Sequence, residues 1–200
     1  MSATNNTAVS ANEAIQRLVD GNRRFVTGQF ALKDLGNDRR EELVKGQKPF
    51  AVILTCADSR VPPEHIFDQG LGDLFVIRNA GNVVDPVSLG SIEYAVEHLL
   101  APLVVVMGHD YCGAVKAAVD GGEVPGSIGA IIAKLQPSVE KAKATGATGH
   151  DLYELATDEN IKATLAEIKE SPIIKHFLEE GKVTLKGAKY FLKTGEVVFF

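Results

Sequence analysis

The sequence predicts an α/β fold, with a mainly parallel central sheet of four to five strands flanked by helices. Short runs of apolar and β-branched residues alternate along the chain with longer segments of helical periodicity. The run at residues 103–107 is continuously apolar, which is typical of a strand buried on both faces of a parallel sheet. The chain of 200 residues, 45% hydrophobic and 24% charged, is long enough for one substantial core.

Two helices are predicted ahead of the first strand. Residues 11–26 carry apolar side chains at helical spacing, with Ser10 as the N-cap and Glu13 completing a capping box. We expect residues 21–25 to interrupt or end this helix. A more polar helix is predicted at residues 37–45, where Gly46 stops it.

The remaining elements alternate between strands and helices. Strands are predicted at residues 50–56, 74–77, 103–107, 183–190 and 197–200. Helices are predicted at residues 87–100, 114–119, 131–144, 151–170 and 172–180. We interpret residues 1–200 as one domain, in which residues 1–45 form an N-terminal helical arm and residues 46–200 an α/β core.

Charge and hydropathy exclude several classes of partner. The net charge of −5 gives no basic footprint for nucleic acid. No apolar run has the length needed to span a bilayer, so no membrane partner is expected. Residues 1–11 are polar and lack the apolar core of an export signal, which favours a cytoplasmic protein. A chain from which a signal had been removed would look the same.

The first predicted core strand ends in reactive side chains. Cys56, Asp58 and Arg60 follow its apolar residues, and two prolines then prevent the strand from continuing. Ligands of open α/β sheets bind at the carboxyl ends of the strands. Taken alone, these residues favour a strand end that carries a surface ion pair.

A second group of such side chains follows the apolar run at residues 103–107. His109 and Cys112 lie three positions apart, where a strand turns into a helix. Cys56 and Cys112 are the only two cysteines, and they can form one disulfide or bind a metal together. Two thiolates and an imidazole suit Zn²⁺, which leaves the fourth position for water or for Asp58.

Two motifs make the sequence resemble the β-class carbonic anhydrases. They are C-A-D-S-R-V at residues 56–61 and G-H-D-Y-C-G-A-V at residues 108–115. The segments at residues 18–26, 72–82, 91–96 and 181–200 are similar to that family as well, so the resemblance covers nearly the whole chain.

The resemblance implies the reversible hydration of CO₂ to bicarbonate and a proton, by attack of zinc-bound hydroxide on CO₂. It implies one Zn²⁺ per subunit, held by Cys56, His109 and Cys112. It also implies that Asp58 and Arg60 form a catalytic dyad. While paired with Arg60, Asp58 would orient the nucleophile. Without that pairing, Asp58 would become a fourth zinc ligand in a closed state.

The resemblance further implies a substrate pocket, whose residues are Gln47, Phe75, Ala80, Tyr94 and Gly113. Without the resemblance, the sequence favours core packing as much as pocket lining for Phe75 and Tyr94. The family builds this pocket from two subunits, so a homodimer or homotetramer is expected. His98, one turn after Tyr94, is a candidate proton shuttle.

One position departs from the family pattern. Asp110 stands where a small hydroxyl residue is usual. We expect it to raise the pKa of zinc-bound water, to orient His109, or to be solvated without a role. Three other functions stay open. They are a non-catalytic zinc protein, a hydrolase of carbon disulfide or carbonyl sulfide, and a redox protein that uses the two cysteines.

Overall fold

The computed structural model describes residues 9–200, and in them it confirms the predicted α/β class. Five strands lie in one sheet in the order β2-β1-β3-β4-β5, with β2, β1, β3 and β4 parallel and β5 antiparallel at one edge. The strands are β1 Ala51–Cys56, β2 Leu74–Asn79, β3 Leu103–His109, β4 Thr184–Tyr190 and β5 Val197–Phe199.

Helices cover both faces of this sheet. They are α1 Ala11–Thr27, α2 Asn37–Val44, α3 Pro63–Ile66, α4 Pro86–Glu97, α5 Gly113–Asp120, α6 Ile128–Ala144, α7 Gly149–Lys169 and α8 Pro172–Glu179. Alternate residues of β1 point to opposite faces, as the pleat of a strand requires. Ile53 packs in the cluster that includes α1 and α3, whereas Val52 and Leu54 pack with α4, α7 and α8.

The register of the sheet brings chemistry-bearing residues to one edge. Cys56 pairs with Asn79 at the end of β2, and Thr55 pairs with Met107 of β3. His109 ends β3, two positions after Met107. The carboxyl ends of three adjacent parallel strands therefore meet beside the turn that leads into α5.

The expectation that α1 would break or end at residues 21–25 is wrong, because the helix continues to Thr27. Asn22 is buried, donates from Nδ2 to the carbonyls of Ile66 and Gly195, and accepts from Val197 N–H. A Cβ on Gly21 would lie 1.8 Å from the carbonyl oxygen of Phe67. These residues interrupt the apolar pattern because they connect the helix to α3 and to the closing hairpin, which is formed by β4 and β5.

Several boundaries also differ from the predictions. Strand β3 extends to His109, so this residue belongs to the strand and not to the following turn. The short helix α3 was absent from the prediction, since only four residues form it. Ser10 Oγ accepts a hydrogen bond from Glu13 N–H, as predicted. The capping box is not completed, because the Glu13 carboxylate accepts from Arg17 instead.

Two expectations concern the chain ends and membranes. The prediction that an export signal is absent was based on the polar residues 1–11. Residues 1–8 of this segment lie outside the described part of the chain. Between residues 9 and 200, no helix combines the length and apolar character needed to cross a bilayer.

Candidate metal centre

Cys56, His109 and Cys112 come together at the carboxyl edge of the sheet. One ligand atom from each lies within 4.8 Å of the others, and all three residues are buried. The two sulfur atoms are 4.0 Å apart, at hydrogen-bond and not covalent distance, so the disulfide is not formed. Tetrahedral zinc with Zn–S bonds of about 2.3 Å requires a sulfur separation of about 3.8 Å, close to the one observed.

A tight turn returns Cys112 toward His109. Tyr111 has a φ of 51°, in the left-handed region that non-glycine residues seldom adopt. This conformation reverses the chain between the end of β3 and Cys112, which is the N-cap of α5. The thiol of Cys112 consequently lies at a helix N-terminus, where the backbone dipoles favour a thiolate.

The ring of His109 is fixed by its neighbour. His109 Nδ1 lies 2.7 Å from the carbonyl oxygen of Asp110, which makes Nδ1 the protonated nitrogen. Its Nε2 is fully buried and has no hydrogen-bond partner among residues 9–200. The lone pair of Nε2 is therefore free for a metal ion, and burying it without one would be unfavourable.

Asp110 acts on this site through both its backbone and its side chain. Its carbonyl orients His109, while its carboxylate accepts a hydrogen bond from Leu192 N–H at 2.8 Å. Its own N–H bonds the carbonyl of Tyr190. The carboxylate is buried and bonded to the closing hairpin, so the expectation that it is solvated is wrong.

The paired thiols affect each other's protonation. Sharing one proton with Cys112 lowers the pKa of Cys56 to about 4, and the nearby imidazole of His109 and the N–H groups of Gly81 and Asp58 act in the same direction. The same interaction, together with burial, raises the pKa of Cys112. One thiolate is thus available at neutral pH, and a divalent cation would favour the second by replacing the shared proton.

Asp58 and Arg60 form the predicted ion pair. Arg60 Nε and Nη2 donate to the two carboxylate oxygens at 2.9 and 2.7 Å, and the Arg60 N–H adds a bond of 2.9 Å. These bonds, foremost those of the guanidinium, lower the pKa of Asp58 to about 2. Arg60 Nη2 also donates to the carbonyl of Tyr111, which links the pair to the turn before Cys112.

Two residues that the sequence reasoning assigned no role support Cys56. Arg78 donates from Nε to the carbonyl of Cys56 at 3.0 Å and from Nη2 to the carbonyl of Asp58 at 2.6 Å. Gly81 N–H donates to Cys56 Sγ at 3.4 Å. Arg78 lies in β2 and Gly81 in the 3₁₀ turn that follows it. Both belong to the segment at residues 72–82, and its similarity to the family was the only signal in the sequence that could have found them.

The predicted pocket residues separate into two groups. Ala80 begins the 3₁₀ turn that holds Gly81 beside Cys56, and Gly113 directly follows Cys112, so both lie beside the cluster. Phe75 pairs with Val52, four positions before Cys56. At about 3.3 Å per residue, this places Phe75 about 13 Å from the cluster along the strand.

Tyr94, Gln47 and His98 lie near Phe75, at the opposite end of the sheet from the cluster. The rings of Phe75 and Tyr94 are 6.3 Å apart, and those of Tyr94 and His98 are 5.2 Å apart. Gln47 and His98 line one groove together with Pro102, which precedes β3. Within one chain, the structure therefore does not bring Gln47, Phe75, Tyr94 or His98 to the cluster.

Comparisons with known proteins agree with this geometry. A family model described as "Carbonic anhydrase" matches residues 51–197, which span every residue of the cluster. A carbonic anhydrase of Mycolicibacterium smegmatis is 44% identical over 189 residues, covering 92% of this chain and 90% of that protein. The solved β-carbonic anhydrase CcaA has a TM-score of 0.75 at 31% identity, covering 93% of this chain and 94% of the other.

A further solved structure bears on assembly. It comes from a study of two tetrameric β-carbonic anhydrases of the filamentous ascomycete Sordaria macrospora. This structure has a TM-score of 0.74 and 26% identity, and the match covers 80% of this chain and 85% of the other.

Proposed function

This chain belongs to the β-class carbonic anhydrases, and we propose that it hydrates CO₂ reversibly to bicarbonate and a proton at a zinc ion held by Cys56, His109 and Cys112. The observation that carries the proposal is the buried Nε2 of His109, which has no partner among the described residues and lies beside two thiols. A donor set of two thiols and one imidazole suits Zn²⁺.

Zinc, when bound, supplies a Lewis acid that makes water nucleophilic at moderate pH. The chain's own residues have separate tasks. Arg60 holds both carboxylate oxygens of Asp58, 3.9 Å or more from His109 Nε2. In this position Asp58 is a hydrogen-bond acceptor that can orient a water molecule beside the cluster. The main-chain N–H of Gly113, at the start of α5, can donate to a developing negative charge on the substrate.

We propose that the pocket is completed by a second copy of the chain. Phe75 packs with Tyr94, and Gln47 lines a groove with His98, all at the far end of the sheet from their own chain's cluster. Tyr94 is about half exposed, as a residue that contacts another subunit would be in an isolated chain. A homodimer or homotetramer would bring these residues, and His98 as a candidate proton shuttle, to the cluster of the partner.

The test is a combined measurement of metal content and activity on the purified protein. We expect one zinc per chain, CO₂ hydration in stopped-flow that is lost on chelation, and its recovery when Zn²⁺ is added back. Native mass spectrometry should find two or four chains. The matched control is Cys112→Ser, which should lose both zinc and hydration.

Other outcomes would identify the remaining candidates. Stoichiometric zinc with hydrolysis of carbon disulfide, but without CO₂ hydration, would favour the hydrolase. Stoichiometric zinc with neither activity would indicate a non-catalytic zinc protein. A protein that contains no zinc and joins Cys56 to Cys112 in a disulfide would overturn the proposal in favour of a redox role.

A further inference from the structure

We infer that Asn160 of helix α7 is a positioning residue for the metal centre, and that it acts on Cys56 through Gly81. The inference rests on the zinc site proposed above. Asn160 Nδ2 donates to the carbonyl of Gly81 at 2.8 Å, across 79 positions of sequence. The N–H of the same Gly81 donates to Cys56 Sγ at 3.4 Å. One residue of the turn therefore connects a buried helix side chain to a candidate metal ligand.

Gly81 is restrained on several sides. Its φ of 76° lies in the left-handed region, which a residue with a side chain would adopt only under strain. A Cβ there would lie 3.2 Å from Leu135 of α6 and 3.3 Å from Ala114 of α5. The backbone of Gly81 therefore fits tightly between these helices, and the bond from Asn160 fixes the rotation of its carbonyl.

Asn160 has the properties of a positioning side chain. It is 2% exposed, and an amide at such a position must find a hydrogen-bond partner to offset its loss of water. Its partner is the carbonyl of the Gly81 turn and not a carbonyl of its own helix. Thr164, one turn later on α7, bonds the carbonyl of the adjacent Asn82 at the longer distance of 3.4 Å.

The consequence concerns the sulfur of Cys56. A hydrogen bond to a metal-bound thiolate orients its lone pairs and reduces its charge, so it tunes the affinity for the metal. If the carbonyl of Gly81 lost its donor, the turn could rotate and withdraw its N–H from the sulfur. Residues that act behind metal ligands in this way typically change metal affinity by about 10- to 100-fold.

The decisive variant is Asn160→Leu, which keeps the approximate shape of the side chain and removes its donor. We expect zinc to dissociate about 10-fold faster into a chromogenic chelator than from the unmodified protein. In the Co²⁺-substituted protein, the sulfur-to-cobalt charge-transfer band should shift, because the hydrogen bond to one thiolate is weakened. Neither readout depends on turnover.

Two variants of the same helix serve as controls. Thr157→Val removes a buried hydroxyl whose one hydrogen bond within residues 9–200 goes to the Tyr153 carbonyl of its own helix. Zinc release should therefore stay within about twofold of the unmodified protein. Thr164→Val removes the hydrogen bond to the Asn82 carbonyl, a contact with the same turn that does not involve Gly81. Equal acceleration in Thr164→Val and Asn160→Leu would show that general loosening of the turn is responsible, and would overturn the inference.

The inference and the proposed function fail in different ways. Unchanged zinc release and an unchanged cobalt spectrum in a folded Asn160→Leu protein would overturn the inference, even if CO₂ hydration is established. Should Asn160→Leu not fold, Asn160→Asp, which keeps the shape more closely, is judged by the same two readouts. In the unmodified zinc-loaded protein, the Gly81 amide should exchange slowly with solvent, and exchange at the rate of an open loop would also overturn the inference.

Discussion

The carboxylate of Asp58 and the imidazole of His109 face each other at 3.9 Å, and Arg60 occupies both oxygens of that carboxylate. A third contact, from Arg60 to the carbonyl of Tyr111, joins the guanidinium to the turn before Cys112. Asp58 is thus close enough to reach the candidate metal position if its partner were removed. If zinc binds as proposed, this pair would determine whether the fourth position is left to water.

The first prediction concerns Arg60→Gln. Without its bidentate partner, Asp58 is free to move toward the metal and take the fourth position. We expect the kcat of CO₂ hydration to fall about 100-fold, while the zinc content by atomic emission stays at one per chain. Asp120→Asn is the matched control, since Asp120 pairs with Lys116 on the surface, and its activity should not change. Full activity in Arg60→Gln would contradict the role given to the pair.

Asp58→Asn probes the carboxylate itself. The amide keeps the size of the side chain but cannot serve as the same acceptor for a water molecule beside the cluster. We expect most turnover to be lost, about 100-fold, with zinc retained. Loss of zinc together with turnover would instead mean that Asp58 helps to hold the metal, and unchanged turnover would refute its catalytic role.

The titration of Asp58 is the third prediction. The hydrogen bonds from Arg60 lower its pKa to about 2, from an ordinary value of 3.8. Because the pKa is lower in the folded protein, ionised Asp58 stabilises the fold above pH 3.8, and this contribution disappears as the pH falls through about 2. Carboxyl ¹³C NMR should give a midpoint near 2 in the unmodified protein and a higher one in Arg60→Gln. Equal midpoints would show that Arg60 is not the cause.

Lys189→Met should destabilise the fold. Lys189 is buried on β4 beneath α7, and its ammonium lies 2.7 Å from Asp158 and 2.8 Å from Glu154. Removing it leaves two carboxylates close together and partly desolvated, at a cost of about 3 kcal/mol in the free energy of unfolding. Urea denaturation measures this cost. Lys182→Met removes a surface lysine paired with Glu180, and a loss there of more than about 1 kcal/mol would contradict the argument from burial.

Gly21→Ala is the fifth prediction. A Cβ at this position of α1 would lie 1.8 Å from the carbonyl oxygen of Phe67, so α1 and α3 must separate. We expect a loss of about 2 kcal/mol or more in the free energy of unfolding, measured by urea denaturation. Gly129→Ala in α6 has open space around its Cβ and should be neutral or slightly stabilising. Similar effects of the two substitutions would show that the contact with Phe67 is unimportant.

The order of strands and helices was predictable because each element carries its own periodicity. Cys56, His109 and Cys112 were identifiable as a group for a chemical reason, since thiols and an imidazole at the ends of parallel strands must meet at one edge. The boundaries were less predictable. His109 was placed in a turn although it completes β3, because glycine at position 108 resembles a turn signal.

Tertiary contacts account for most of what the sequence could not predict. Gly21 and Asn22 look like helix breakers, yet they allow and secure the contact of α1 with α3. Asn160 is one polar residue among many on α7, and only the folded chain brings it to Gly81. The separation of Phe75 and Tyr94 from the cluster likewise depends on strand register, which no local pattern specifies.

The hydrogen bond between Leu192 N–H and the Asp110 carboxylate has a consequence for biosynthesis. All three candidate ligands have been translated by residue 112. Strand β4, one of the two strands that flank β3, and the backbone that secures Asp110 belong to residues 184–192. A nascent chain on the ribosome therefore carries every donor atom before it can hold the donors in their final geometry. We expect such a chain to bind zinc weakly at first, and to bind it tightly only after β4 has emerged from the exit tunnel.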